Sequence, residues 1–99
     1  MAKIGAQKQD PRYISELYSA VLSLNNVKEI SMFFRDVMTE QEILEFARRW
    51  KAARMLDIKI PYTEIIGATG LSSATIARIS RWLQNGKGGY RLVLKKLKK

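Results

Sequence analysis

The 99-residue chain contains no cysteine and no histidine. Without cysteine there are no disulfides and no thiol nucleophile. Without both residues there is no zinc site of the usual Cys/His kind, and the commonest acid-base side chain is missing. A chain free of cysteine fits a reducing compartment, so a cytoplasmic location is expected. No apolar run approaches the ~20 residues that a membrane span needs. Residues 1–9 are polar apart from Ile4 and lack the apolar stretch of a signal peptide; they read as a disordered tail. The nine acids are scattered singly over helical surfaces, and no nucleophile-base pair stands out. Neither an enzyme, nor a cofactor, nor a bound metal is therefore expected. Nothing repeats at solenoid periods, and residues 10–99 read as one helical domain.

Acids are also missing from a whole region. Residues 1–64 hold ten Lys/Arg against nine Asp/Glu. Residues 65–99 hold eight Lys/Arg and no acid; the last acid is Glu64. The net charge of +9 is thus concentrated in the final third. Such asymmetry points that third at a polyanion, although Lys95, Lys96, Lys98 and Lys99 could equally form a solvated tail.

The pattern that is present is helical. Ile14, Leu17, Tyr18, Val21 and Leu22 recur at one-face spacing over residues 11–24, behind an Asp10-Pro11 start. Asn25-Asn26 interrupts the stripe. Val27, Ile30, Phe34 and Val37, with Phe33 beside them, predict a second helix to about residue 38. Thr39 and Glu42 form a capping box in sequence. They open the longest helix, to about residue 56, with an expected inward face of Ile43, Phe46, Ala47, Trp50 and Ala53. Arg48, Arg49, Lys51 and Arg54 read first as its surface. Two shorter helices, 62 to about 69 and 72 to 83, flank Gly70. A last helix, 90 to about 97, follows Gly86, Gly88 and Gly89. The expected fold is all-α with about six helices.

Residues 61–83 carry the functional signal. A helix-turn-helix needs a short helix, a tight turn and a second helix crossing the first. Gly70 sits where the turn requires φ > 0. Ile65, Leu71, Ile76 and Ile79 are spaced to pack the two helices together, with the bulky Ile66 standing where a small residue is usual. Ser72, Ser73, Ala74, Thr75, Ala77, Arg78 and Arg81 are left to face outward. Small residues let a helix enter the major groove, where hydroxyls and guanidinium groups reach base edges and phosphates. Lys87, in the basic stretch that follows, joins this DNA-facing set.

The sequence resembles the Trp-repressor superfamily, most closely its YerC/YecD-type branch, over residues 18–94. The resemblance rests on Thr39 with Glu42, on Arg49, on Ala53 with Leu56, and on Tyr62 with Ile65. It continues through Thr69-Gly70-x-Ser72-x-Ala74-Thr75-Ile76-x-Arg78 and Leu83-x-x-Gly86-x-Gly88-Gly89-Tyr90-x-x-x-Leu94. It implies an intertwined homodimer, a transcriptional regulator of the repressor kind, and double-stranded DNA as partner. Contacts to DNA would fall on Tyr62, Thr63, Ser73, Ala74, Thr75, Ala77 and Arg78. Trp repressors also clamp free tryptophan between two arginines, and Arg49 and Arg78 match those places. The glycine that should follow the second arginine is Ile79 here, and Trp82 replaces a small residue three places on. Both changes are expected to fill the corepressor space, so tryptophan is not expected to bind. Pro61 stands where a serine or threonine would cap the helix.

Two other readings stay open on residues alone. One is a non-specific nucleic-acid-binding basic protein, of packaging or RNA-binding type; it would carry more Lys/Arg on the 72–81 face. The other is a protein-interaction module built on the N-terminal amphipathic helices.

Overall fold

The computed structural model describes residues 10–98, so the reading of residues 1–9 as a tail lies outside the described residues. Those residues form six helices and no strand. They fall into two compact units that meet at Met38 and Thr39.

The first unit holds α1 (Pro11–Leu22) and α2 (Val27–Val37). The Asp10 carboxylate caps α1 by accepting from the Arg12 amide at 2.9 Å, and Pro11 supplies the preset first turn. The Arg12 guanidinium, 2.7 Å away, holds the Asp10 carboxyl below the usual carboxylate range. Asn26 caps α2: its side-chain oxygen accepts from the Glu29 amide at 2.9 Å, and Glu29 accepts from the Asn25 amide at 2.8 Å. The asparagine pair thus ends one helix and starts the next. Not one residue from 10 to 38 is buried. The stripe read as an inward face is largely exposed, including Tyr18, Leu22 and Val27.

The second unit holds α3 (Glu40–Asp57), α4 (Tyr62–Thr69), α5 (Ser73–Asn85) and α6 (Gly89–Lys98). Thr39 opens α3 with a complete capping box. The Glu42 amide donates to the Thr39 hydroxyl at 3.1 Å, and the Thr39 amide donates to the Glu42 carboxylate at 2.9 Å. Thr39→Ala should cost about 1 kcal/mol, lowering the melting temperature by roughly 4–8 °C. A thermal melt matching that of the wild type would show that the cap contributes nothing.

Ala52, Ala53, Ile65, Leu71, Ile76, Ile79, Leu83 and Leu94 form the core. Ala52 and Ala53 have no exposed area, and their small side chains let the backbones of neighbouring helices approach α3 closely. The expected inward face of α3 needs correcting. Phe46 is 58% exposed and Ala47 is exposed, while Ala52 is buried. Within this unit α4 and α5 pack on α3, and the buried positions lie in its C-terminal part, so Phe46 and Ala47 go uncovered while Ile43 and Trp50 are half-buried.

α3 ends in a Schellman motif. The Ile60 amide donates to the Met55 carbonyl at 3.0 Å, and the Lys59 amide donates to the Leu56 carbonyl at 3.0 Å. The motif places Lys59 at φ 67°, the only non-glycine positive φ among the described residues. Glycine takes that backbone freely, whereas a side chain there costs about 1 kcal/mol. A salt bridge of 2.9 Å from Lys98 to Asp57 ties the last turn of α6 to the end of α3. α5 runs two residues past its expected end and stops at Gly86. A Cβ there would lie 2.5 Å from the Trp82 carbonyl oxygen, a backbone atom with little room to yield.

Candidate nucleic-acid interface

The turn between α4 and α5 is built from three residues. Gly70 adopts φ 75° and its amide donates to the Ile66 carbonyl at 2.8 Å, closing α4. Thr69 is buried; its hydroxyl donates to the Ile65 carbonyl at 2.7 Å and accepts from the Leu71 amide at 3.2 Å. The hydroxyl therefore satisfies the turn's polar backbone where water cannot reach. Sequence reading assigned Thr69 no such role; its one signal is a threonine directly before the turn glycine. Ser72 caps α5, accepting from the Thr75 amide at 3.1 Å, and its hydroxyl donates to the Thr75 hydroxyl oxygen at 3.1 Å.

Behind the turn, Ile65, Leu71, Ile76 and Ile79 meet in the core, as their spacing predicts. This fixes the remaining faces of α5. Ser72, Ser73, Ala74, Arg78 and Arg81 are exposed. Thr75 and Ala77 are half-buried, because each flanks the core stripe and only part of its surface turns outward. Among the described residues Arg78, Arg81 and Lys87 have no carboxylate partner. Tyr62 and Thr63 open α4. Pro61 is its N-cap and provides no side-chain hydrogen bond, so the Tyr62 and Thr63 amides have no capping side chain, while the Glu64 amide donates to the Pro61 carbonyl at 3.1 Å.

The four positions matched to a corepressor pocket lie in different surroundings. Arg49 is half-buried, and its Nε donates to Glu45 at 3.1 Å. Arg78 is exposed. Ile79 has no exposed area and belongs to the core. Trp82 is 49% exposed and lines an open groove of about 910 Å³ with Asn85, residues 86–90 and Val93. Neither Arg49 nor Arg78 lines that groove. Tyr90 stacks on Trp50 with ring centroids 6.4 Å apart. Burial pushes the Tyr90 phenol up, and the nearby Arg49 charge partly offsets this.

A short helix, a left-handed glycine turn and a second helix packed against the first, within an all-helical frame, define a protein of the helix-turn-helix class. The chain belongs to the Trp repressor protein family, which it matches over residues 12–98. It is 38% identical over 85 residues to the uncharacterized protein YerC of Bacillus subtilis (strain 168), covering 86% of this chain and 82% of YerC. The crystal structure of a TrpR-like protein from Eubacterium eligens ATCC 27750 superposes with a TM-score of 0.83. That pair is 40% identical, over 87% of this chain and 89% of the other. A provisionally assigned Trp repressor from Staphylococcus aureus also gives 0.83, at 34% identity over 92% and 91% of the two chains. Membership suggests a DNA-binding regulator, and the family's fold is a regulator's rather than an enzyme's. No helix among the described residues is long and apolar enough to cross a membrane.

Proposed function

We propose that the protein is a sequence-specific transcriptional regulator that binds double-stranded DNA as a homodimer and inserts the N-terminal end of α5 into the major groove. One observation carries the reading. The exposed start of α5 is small and polar at Ser72, Ser73 and Ala74, with unpaired Arg78 and Arg81 behind it. No acid follows Glu64 to repel a phosphate. In this reading Ser73, Ala74, Thr75 and Ala77 meet base edges, while Tyr62, Thr63, Arg78, Arg81 and Lys87 meet the backbone. The family likeness supports a repressor role and a cytoplasmic location.

Selection from random duplexes should return a pseudo-palindrome. Half-site centres should lie about 34–36 Å apart, the established spacing for helix-turn-helix dimers, Trp repressors included. Affinity should fall steeply with salt, because each phosphate contact releases counterions. Arg78→Ala, which removes a charged backbone contact, should weaken binding by about 1.5–3 kcal/mol on all duplexes alike, with no change in melting temperature. Equal affinity for all sequences would replace this reading by a non-specific, packaging-type binder.

Free L-tryptophan should leave this binding unchanged. A corepressor needs a vacant slab between two arginines, with helix backbone bare on one side. Ile79 places a fully buried β-branched side chain directly after Arg78, and Arg49 is already held by Glu45. Forcing an indole into filled space costs ~1–3 kcal/mol, a tenfold to hundredfold loss of affinity. Calorimetric titration with L-tryptophan tests this directly; micromolar affinity would restore the corepressor model.

A further inference from the structure

Beside the reading head lies a cleft of about 370 Å³ where the α3–α4 loop, α5 and α6 converge. Lys59, Tyr62, Ser80, Gln84 and Arg91 line it, together with Asp57. The Asp57 carboxylate is engaged by Lys98 at 2.9 Å, whereas Lys59 and Arg91 have no carboxylate partner among the described residues. The cleft therefore presents two cations without a carboxylate partner, the hydroxyls of Tyr62 and Ser80, and the Gln84 carboxamide, whose Nε2 donates to the Ser80 hydroxyl at 3.4 Å and leaves the Ser80 proton free to donate onward. Such a set donates hydrogen bonds to an oxyanion. We propose that this cleft seats a DNA backbone phosphate at the rim of the groove that α5 enters, with Lys59 and Arg91 as its anchors. The inference rests on the DNA-binding reading above and extends the interface to residues that reading does not include.

Three observations support it independently of charge. The first is continuity. Ser73, Ala77, Ser80 and Gln84 follow one another at one-face spacing along α5, leading from its reading end into the cleft. The second is distance. At 1.5 Å per residue, Ser80 and Gln84 stand about 10 and 16 Å up the helix from Ser73. The major groove is about 8.5 Å deep, so a helix that touches its floor with Ser73 brings Ser80 close to the level of the phosphates and leaves Gln84 above it, on the side of the cleft away from the bases. The third is the backbone of Lys59. Its φ of 67° suits glycine, yet a lysine stands there. A residue kept in an unfavourable conformation is expected where its side chain has work to do, and the two Schellman bonds aim that side chain from a rigid loop.

The test uses the full chain and a duplex recovered by selection, with a scrambled duplex beside it. Lys59→Gly and Arg91→Gln should each weaken binding about tenfold on both duplexes. Each should make the dependence of log affinity on log salt shallower by about one unit. K59G should melt no lower than wild type, since glycine is relaxed at that φ, so lost binding cannot be ascribed to unfolding. Lys51→Gln removes an equal charge from the α3 surface and should keep the full salt slope; an equal loss there would assign the effect to net charge and overturn the proposal. Wild-type affinity and slope in both cleft variants would overturn it while leaving the DNA-binding reading intact. A wild-type chain that binds no duplex would remove both. Inorganic phosphate is the remaining arm. If millimolar phosphate raises the melting temperature of wild type but not of R91Q, while both bind DNA alike, the cleft takes a free phosphate and the DNA assignment is wrong.

Discussion

Replacing Ile14 and Leu17 by aspartate is expected to turn a dimer into a monomer whose first two helices no longer hold together. The wild-type chain should sediment as a dimer at micromolar concentration, and its melting temperature should rise with concentration. The reason lies in residues 10–38. They form two helices of 12 and 11 residues, lengths at which an isolated helix is marginal in water. Yet no residue of the pair is buried, and Ile14, Leu17, Val27 and Val37 remain 54%, 42%, 80% and 55% exposed. Large apolar side chains left exposed in such number on two amphipathic helices mark an association surface. A second copy is the natural cover, because a two-fold axis repeats every contact. Each fully buried Ile or Leu contributes about 1.5–3 kcal/mol. Only the half of each side chain still exposed is left for a partner to cover, so two substitutions, counted on both protomers, remove about 3–6 kcal/mol, which is about two to four orders of magnitude in dissociation constant. A wild-type monomer in sedimentation equilibrium, or an I14D/L17D dimer as tight as wild type, would sink the idea.

Ile76→Ala should have the next largest effect, and it should act on the reading head through stability rather than contact. Ile76 has no exposed area and sits in the core that backs the α4–α5 turn. Removing its outer carbons leaves a cavity among Ile65, Leu71 and Ile79, and such truncations cost about 2–5 kcal/mol. Stability for a domain of this size is about 5–15 kcal/mol, so a sizeable share is lost. The expected readout is a melting temperature lowered by roughly 10 °C or more. DNA affinity should fall at 37 °C but recover at low temperature, where the variant is folded. R78A should show the opposite pattern, with normal melting and weak binding at both temperatures. Should I76A melt within a few degrees of wild type, the core does not hold the head as described.

Helix boundaries and caps could be read from the sequence because the groups that make them are neighbours along the chain. The Thr39–Glu42 box, the Asp10-Pro11 start, Gly70 at the turn and Ser72 as cap each involve partners within about four residues, and each appears where its residues stand. The packing of α4 on α5 was legible for the same reason: Ile65, Leu71, Ile76 and Ile79 lie within one short span around a single glycine. The exposure of Phe46 was not, since it turns on which other elements come to lie against α3. Nor was Thr69, whose hydroxyl matters because the turn is buried, a fact of packing.

The pocket positions divide along the same line. That Ile79 carries bulk where a corepressor needs a bare backbone is plain from residue type. Where Trp82 points is not, because its rotamer depends on residues 86–90, and the structure sets it against that glycine-rich segment, in a groove that Arg49 and Arg78 do not line. The cleft of Lys59, Ser80, Gln84 and Arg91 joins residues up to 32 positions apart on three elements. The left-handed backbone of Lys59 carries no signature in its side chain. Sequence alone determined the family, the all-helical class, the turn and the outward chemistry of α5, all of which rest on local spacing and residue type. Tertiary structure alone decided which apolar positions are covered and which cations share a cleft, because burial and electrostatic convergence depend on segments that sequence distance keeps apart.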